Sequence, residues 1–191
     1  MQLRVLGYPV IVLDQWLPHK TVKSIKQELE YLEPYLETPA QTNSAVDETG
    51  KPLRENSAIW LDRVYQNRQY SRTLQALDQL YTPEFMHELE LQDRFWTNLS
   101  TSMCDSSLLQ RWSIGNHYPK HVDKSALTAI YTVSRSDDCV GSNIYIEDQT
   151  ITTNANQLIL MPGFLQHQTL PTERGVRWSV NRFIGHLNYG P

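Results

Sequence analysis

"YPKHVDKSALTAIYTV", residues 118–133, places a histidine and an aspartate two positions apart at the head of an apolar run rich in β-branched and aromatic residues. Such a run reads as a strand. Residues i and i+2 of a strand share a face, so His121 and Asp123 point together into one space. An imidazole and a carboxylate presented this way are one half of many metal sites. A solitary histidine is more often solvated or a satisfied core residue, so a metal reading needs a third ligand.

The surroundings of this strand set the fold class. From about residue 107 the chain is a series of short apolar runs separated by turn signals: "LLQRWSI", "ALTAIYTV", "NIYIED", "QLILM" and "VRWSVNRFIG". Short, evenly spaced strands argue for a sandwich or barrel. Upstream, "YPVIVLD" (8–14) reads as a buried strand, and "PHKTVKSIKQELEYLEPYL" (18–36) has the apolar spacing of an amphipathic helix that Pro34 ends or kinks. Residues 37–56 are polar and rich in turn formers, which predicts a loop. Two helical segments are predicted near 69–80 and 82–99, with Leu74, Leu77, Leu80, Phe85, Leu89, Leu91 and Phe95 as buried faces. Helical support over 18–99 followed by a β-core over 107–186 gives an α+β protein, with helices on one face of the strands, in a single domain spanning 1–191.

Composition narrows the function. Of 191 residues, 40% are hydrophobic and 20% charged, an ordinary balance for a folded chain. A net charge of -4 provides no basic field for phosphates and argues against a nucleic-acid substrate. No stretch has the length of a membrane span, and the N-terminal apolar run lacks the features of a signal peptide. Cys104 and Cys139 do not form a close pair of zinc or redox type and read as free thiols of a cytoplasmic protein. Polypeptides or small molecules are the partners that remain, and the oligomeric state is open.

Five histidines compete to be the third ligand. His117 is four residues before His121, but Pro119 between them rules out the helix that would make a zinc pair. His19 and His87 lie in polar, helical surroundings, and His186 follows the last strand. His167 sits just past a strand and a Pro-Gly turn, ten residues before Arg177. On the last strand Arg177, Ser179, Asn181 and Phe183 share one face, while Trp178, Val180, Arg182 and Ile184 share the other. Arg177 either bridges to a structural carboxylate or binds a ligand. Two histidines and a carboxylate leave adjacent coordination positions open, a set suited to iron(II) oxygen chemistry. An arginine nearby would then fork onto the far carboxylate of a dicarboxylic cosubstrate.

With these residues in place, the sequence resembles the iron(II)- and 2-oxoglutarate-dependent dioxygenases, in their prolyl-4-hydroxylase-like branch. The pattern of an aromatic, a glycine, a tyrosine and His-x-Asp is met by "WSIGNHYPKHVD", through Trp112, Gly115, Tyr118, His121 and Asp123. The distal histidine and basic residue are met by His167 and Arg177, with Ser179 completing Arg-x-Ser. "VIVLDQWLPHKTVKSIKQELE" is similar to the leading strand and first helix of these enzymes. The resemblance implies a double-stranded β-helix, or jelly-roll, core of cupin type. It implies that His121, Asp123 and His167 bind Fe(II), and that Arg177, helped by Ser179, binds the C5 carboxylate of 2-oxoglutarate. O₂ is the second cosubstrate and ascorbate an optional reductant.

The implied activity is an oxidoreductase: decarboxylation of 2-oxoglutarate to succinate and CO₂ drives hydroxylation of an unactivated C–H bond. Retention of Asp123 favours hydroxylation over halogenation. The chain departs from the family at Trp112, where a tyrosine is usual, and at "VGSN", where Asn143 replaces an acid. Tyr131 or Thr132, on opposite faces of their strand, is the candidate for the missing hydroxyl, and Tyr118 for the cosubstrate wall. Trp112 and Phe183 either shape a substrate pocket or pack the core. "DETGKPLREN" with "SAIWLDRVY" forms a lid or a plain surface loop. Three functions follow: hydroxylation of a prolyl or other polypeptide side chain, hydroxylation of a free amino acid or small metabolite, and metal binding by a cupin-like protein without oxygenase activity.

Overall fold

The structure is a computed structural model that describes residues 2–5, 7–102 and 104–185. His186, and with it the end of the expected β-core, lies outside them. The strands are β1 (Gln2–Val5), β2 (Ile11–Asp14), β3 (Ser57–Trp60), β4 (Asp105–Trp112), β5 (Tyr118–His121), β6 (Leu127–Arg135), β7 (Val140–Gly141), β8 (Ile144–Ile146), β9 (Gln149–Ile151), β10 (Gln157–Pro162), β11 (His167–Thr169), β12 (Thr172–Arg174) and β13 (Arg177–Ile184). The α-helices are α1 (His19–Leu32), α2 (Pro39–Thr42), α3 (Leu61–Val64), α4 (Arg72–Leu77), α5 (Pro83–Glu90) and α6 (Thr97–Ser100).

A seven-stranded sheet runs in the order β1-β2-β10-β6-β13-β4-β3, and a four-stranded sheet in the order β5-β11-β8-β9. All pairings are antiparallel, and β12 pairs with β7 as a separate two-stranded ribbon. The sheets face each other without closing into a barrel. Val12, Ile130, Ile159 and Met161 of the large sheet meet Ile144, Ile146 and Ile151 of the small one in a common apolar cluster. Period-two alternation sends the intervening residues Ile11, Leu13, Tyr131, Val133, Leu158, Leu160, Val180 and Ile184 to the other face, against the helices. The result is three layers: helices, large sheet, small sheet.

Helix α1 buries Val22, Ile25, Leu29 and Leu32, the spacing of an apolar stripe. Each such side chain contributes about 1.5–3 kcal/mol on leaving water. The predicted helix over 82–99 is shorter than its apolar pattern. Helix α5 stops at Glu90, and the chain becomes helical again only after Asp93, whose side chain accepts from the Phe95 amide at 2.7 Å, in a short turn that runs into α6. Residues 37–56 are also more ordered than a solvated loop. Thr38 and Gln41 form a capping box for α2, and Arg54 and Asn56 are each only 1% exposed.

A charged knot ties the helices to β4 and β13. Arg182 is fully buried, donates to Asp78 at 2.7 Å and to Ser107 at 3.1 Å, and stands beside Asp105. Asp105 accepts from Arg68 and from the Tyr81 hydroxyl, the latter at 2.5 Å. Burial alone would raise the Asp105 carboxyl, but the Arg68 hydrogen bond, the Arg182 charge and the Tyr81 hydroxyl outweigh it and hold it below the ordinary 3.8. A depressed folded value means that this stabilisation is complete above the unfolded pKa and is lost as pH falls through the folded one. Asp105→Asn is therefore expected to cost about 2 kcal/mol at pH 7, discounted from a fully buried pair because Arg68 is partly solvated. Urea unfolding should show the gap between variant and wild type narrowing at pH 3.

Candidate metal centre

Strand β11 lies antiparallel to β5 with His167 directly opposite His121, and Asp123 follows two residues after His121. The ligand atoms of His121, Asp123 and His167 all fall within 4.8 Å of one another. His121 Nε2 is 3.7 Å from Asp123 Oδ1, and His167 Nε2 is 3.5 Å from Asp123 Oδ2. The two imidazole rings are tilted at 54° with centroids 4.2 Å apart. Among the described residues this is the single group of three or more His, Cys, Asp or Glu side chains so placed.

Each histidine is oriented by the same device. His121 Nδ1 lies 2.7 Å from the Pro119 carbonyl and His167 Nδ1 lies 3.0 Å from the Leu165 carbonyl, in both cases two residues back. A carbonyl accepts only, so Nδ1 carries the proton and donates it, leaving the Nε2 lone pair aimed at the shared space. Burial, with the neighbouring His167 adding to it, pushes the His121 pKa down to about 4, so the neutral, metal-binding form holds at physiological pH. Asp123 Oδ2 accepts from Thr128 Oγ1 at 2.6 Å, and the Asp123 amide donates to the Gly163 carbonyl at 2.8 Å. Tyr118 stacks on His121, with ring centroids 3.6 Å apart. Burial first, and the Asp123 carboxylate second, raise its phenol to about 12.

Arg177 lies on the inner face of β13 and is 1% exposed. Its Nε donates to Ser142 Oγ at 2.9 Å and its Nη1 to Thr132 Oγ1 at 3.4 Å, and its guanidinium stands 5.2 Å from the Trp112 ring centroid. Trp112 in turn donates from Nε1 to Ser179 Oγ at 3.0 Å. Burial, reinforced by the charge of Arg135, pushes the Arg177 pKa down to about 9. Among the described residues no carboxylate lies within 4.0 Å of it. A buried cation that has neutral partners only is costly, and an arriving anion would relieve that cost.

One sequence expectation is corrected. Tyr131 is on the helix-facing side of β6, where its hydroxyl donates to Asn156 Oδ1 at 3.0 Å and its ring meets Trp16 edge-on, centroids 5.2 Å apart. Strand alternation gives the side that Arg177 occupies to its neighbour Thr132. Phe183 is on the inner face, but it pairs with Trp60 at 6.0 Å and is one strand removed from Asp123, opposite Thr128. His117 stays out of the group, beside Glu55. The site also includes Thr128 and Ser142, which the sequence motifs do not single out. Thr128 shares a face with Thr132 by simple alternation, whereas Ser142, in a left-handed turn at φ 56°, has no signal in the sequence. Among the described residues neither Cys104 nor Cys139 is in a disulfide, and no helix is long and apolar enough to cross a membrane.

No family model matches the sequence, and no curated protein does. Solved structures do match in fold. A prolyl-4-hydroxylase of Pseudomonas putida aligns with TM-score 0.63 at 17% identity, covering 93% of this chain and 92% of that one. A prolyl hydroxylase of Trichoplax adhaerens, in complex with a hypoxia inducible factor oxygen degradation domain peptide fragment, aligns with TM-score 0.69 at 11% identity over 94% and 84%. A viral collagen prolyl hydroxylase of Paramecium Bursaria Chlorella virus-1, in its 2OG complex, gives 0.61 at 14% over 93% and 96%. The chain therefore has the double-stranded β-helix fold of these oxygenase structures, with His121 and His167 paired on its small sheet and Asp123 just beyond β5.

Proposed function

We propose that the protein is an Fe(II)- and 2-oxoglutarate-dependent dioxygenase that hydroxylates an unactivated C–H bond, with a prolyl or other polypeptide side chain as its substrate. The observation that carries the reading is a preorganised His-Asp-His group and a buried Arg177 with no carboxylate partner among the described residues, bound to the same face of β6 through Thr128 and Thr132. The donor set fits iron(II), because it offers two neutral imidazoles and one carboxylate. When bound, the iron would activate O₂, which is the oxidant, and 2-oxoglutarate would be oxidised to succinate and CO₂ to supply two of the four electrons that O₂ takes up.

The chain's own residues do the positioning. His121, Asp123 and His167 hold the ion, and the Pro119 and Leu165 carbonyls keep both rings from turning. Arg177 takes the C5 carboxylate by charge-assisted hydrogen bonds. Ser179 accepts from Trp112 and so has its own hydroxyl proton left to donate to the same carboxylate, as does Thr132. Trp112, packed under the guanidinium, keeps water from this end of the site. The peptide held by the Trichoplax enzyme supports a polypeptide substrate, and the overall shape is shared with two other prolyl hydroxylases.

Anaerobic titration of the apoprotein with Fe(II) and then 2-oxoglutarate tests this. The expected result is a visible charge-transfer band that needs at least about 100-fold more 2-oxoglutarate in Arg177→Ala, because removing the only charged partner of a buried carboxylate costs about 3 kcal/mol or more. A folded wild type that gives no band would leave a cupin-like metal-binding protein as the better account.

A further inference from the structure

A second buried guanidinium stands near the metal centre and is not needed for 2-oxoglutarate. Arg54, at the end of the polar 37–56 segment, is 1% exposed. Its Nη1 donates to Asn56 Oδ1, its Nη2 donates to Ser44 Oγ at 2.6 Å, and its Nε, fully buried, has no acceptor. Asn56 is equally buried, and with Oδ1 turned to Arg54 its Nδ2 has no acceptor either. Among the described residues no carboxylate lies within 4.0 Å of Arg54. Two neighbouring orphan donors and one unbalanced positive charge describe a site built for an anion with two acceptor oxygens.

The position of this site relates it to the chemistry. Asn56 immediately precedes β3, which runs antiparallel to β4 just before the 113–117 turn that leads into Tyr118, and Tyr118 stacks on His121. The segment is fastened there by Asn116 Nδ2, which donates to the Glu55 carbonyl at 2.8 Å. Strand β3 begins at Ser57, and its Ala58 pairs with Gln110 of β4, so Asn56 leads onto the same inner face as Gln110, Ser179 and Asn181. Gln110 Oε1 and Asn181 Oδ1 on that face are also buried without donors. Polar groups are thus left open on the side of the metal centre away from the small sheet's apolar cluster.

We infer that Arg54 and Asn56 form a carboxylate-binding subsite for the substrate, so that the molecule hydroxylated carries a carboxylate close to its reacting carbon. This rests on the oxygenase reading of the metal centre. Two sources share the chemistry: the α-carboxylate of a free amino acid, and an acidic side chain in a peptide. Either is drawn into a buried site because a carboxylate satisfies both orphan donors and neutralises the cation at once.

The test uses the Fe(II)- and 2-oxoglutarate-loaded protein under anaerobic conditions and matched probes: L-proline against L-prolinamide, and capped Gly-Glu-Pro-Gly against capped Gly-Gln-Pro-Gly. Binding is read by calorimetry. In at least one pair the carboxylate member is expected to bind at least about tenfold tighter than its amide, and the pair that discriminates identifies the source. Arg54→Gln should abolish the preference and Arg54→Lys keep part of it. Asn56→Asp supplies an internal anion: it should raise the melting temperature by a few degrees and also abolish the preference, which keeps the test sound if Arg54→Gln does not fold. Equal binding or no binding in both wild-type pairs overturns the subsite, as does a folded Arg54→Gln or Asn56→Asp protein with discrimination intact. The charge-transfer band reports on the oxygenase reading separately, so the two failures are distinguishable.

Discussion

Asp123→Ala is expected to lose iron(II) affinity by well over 100-fold while its fold stays as stable as the wild type's. The two effects separate because of what the carboxylate touches. Asp123 supplies the only anion in the His121, Asp123 and His167 group, and changes merely in the surroundings of a ligand already cost about 10–100-fold in metal affinity. Its protein partner, by contrast, does not depend on it. Thr128 Oγ1 is 2.9 Å from Ser125 Oγ as well as 2.6 Å from Asp123, so removing the carboxylate leaves the hydroxyl paired. A carboxylate held among neutral groups for a metal is also no asset to the empty protein. Mn(II), an air-stable substitute, should raise the wild-type melting temperature by the linkage of binding to folding, about 2.7 kcal/mol at a ligand concentration of one hundred times Kd. The variant should melt at or slightly above the metal-free wild type and show no response. A variant that responds to Mn(II) as the wild type does would remove Asp123 from the metal site.

Strand periodicity is what makes this site legible in the sequence. His-x-Asp on and just after β5, and Arg177 with Ser179 on β13, each put two functional groups on one face, and the face is fixed once the apolar alternation is known. The same rule separates Thr132 from Tyr131, yet it cannot choose between them without the register, which β13 and β10 supply by pairing with β6. An irregularity between Trp178 and Ser179 in that pairing makes counting along the sequence alone unsafe. The order in the 37–56 segment is hidden for a different reason. Its residues are polar because they meet one another and the site, as Arg54, Asn56 and Ser44 do, and polarity without a period looks the same whether the partner is protein or water. The helical region is legible in most of its apolar faces, Leu91 being the exception because it lies exposed past the end of α5, and not in its ends, since Thr82 and Asp93 cap short pieces that the leucine spacing runs straight through. Ser142 depends on a backbone turn, which leaves no mark on side-chain pattern.

Gly163→Ala should be at least as damaging as losing a ligand, although residue 163 touches no metal. The Pro162-Gly163 turn brings β10 against the loop that carries Asp123. The Gly163 amide donates to the Ala126 carbonyl at 3.0 Å, and the Gly163 carbonyl accepts from the Asp123 amide at 2.8 Å. The approach is so close that an added Cβ would overlap the Ser125 carbonyl oxygen and lie 2.9 Å from its carbon. Backbone cannot rotate away as a side chain can, so the cost belongs at the severe end of overpacking, at least about 3 kcal/mol. In a chain of this size that lowers the melting temperature by roughly 6–12 °C. The only relief is for residues 123–126 to move, and Asp123 moves with them; a displacement of about 1 Å in such a group is worth about 100-fold. Phe164→Ala, at the exposed neighbour whose ring meets Phe95 at 6.2 Å, is the control and should change neither quantity appreciably. Thermal melting with and without Mn(II) separates the contributions. If Gly163→Ala melts within about 2 °C of the wild type and still binds Mn(II) normally, the loop has slack that its packing against Ser125 does not reveal.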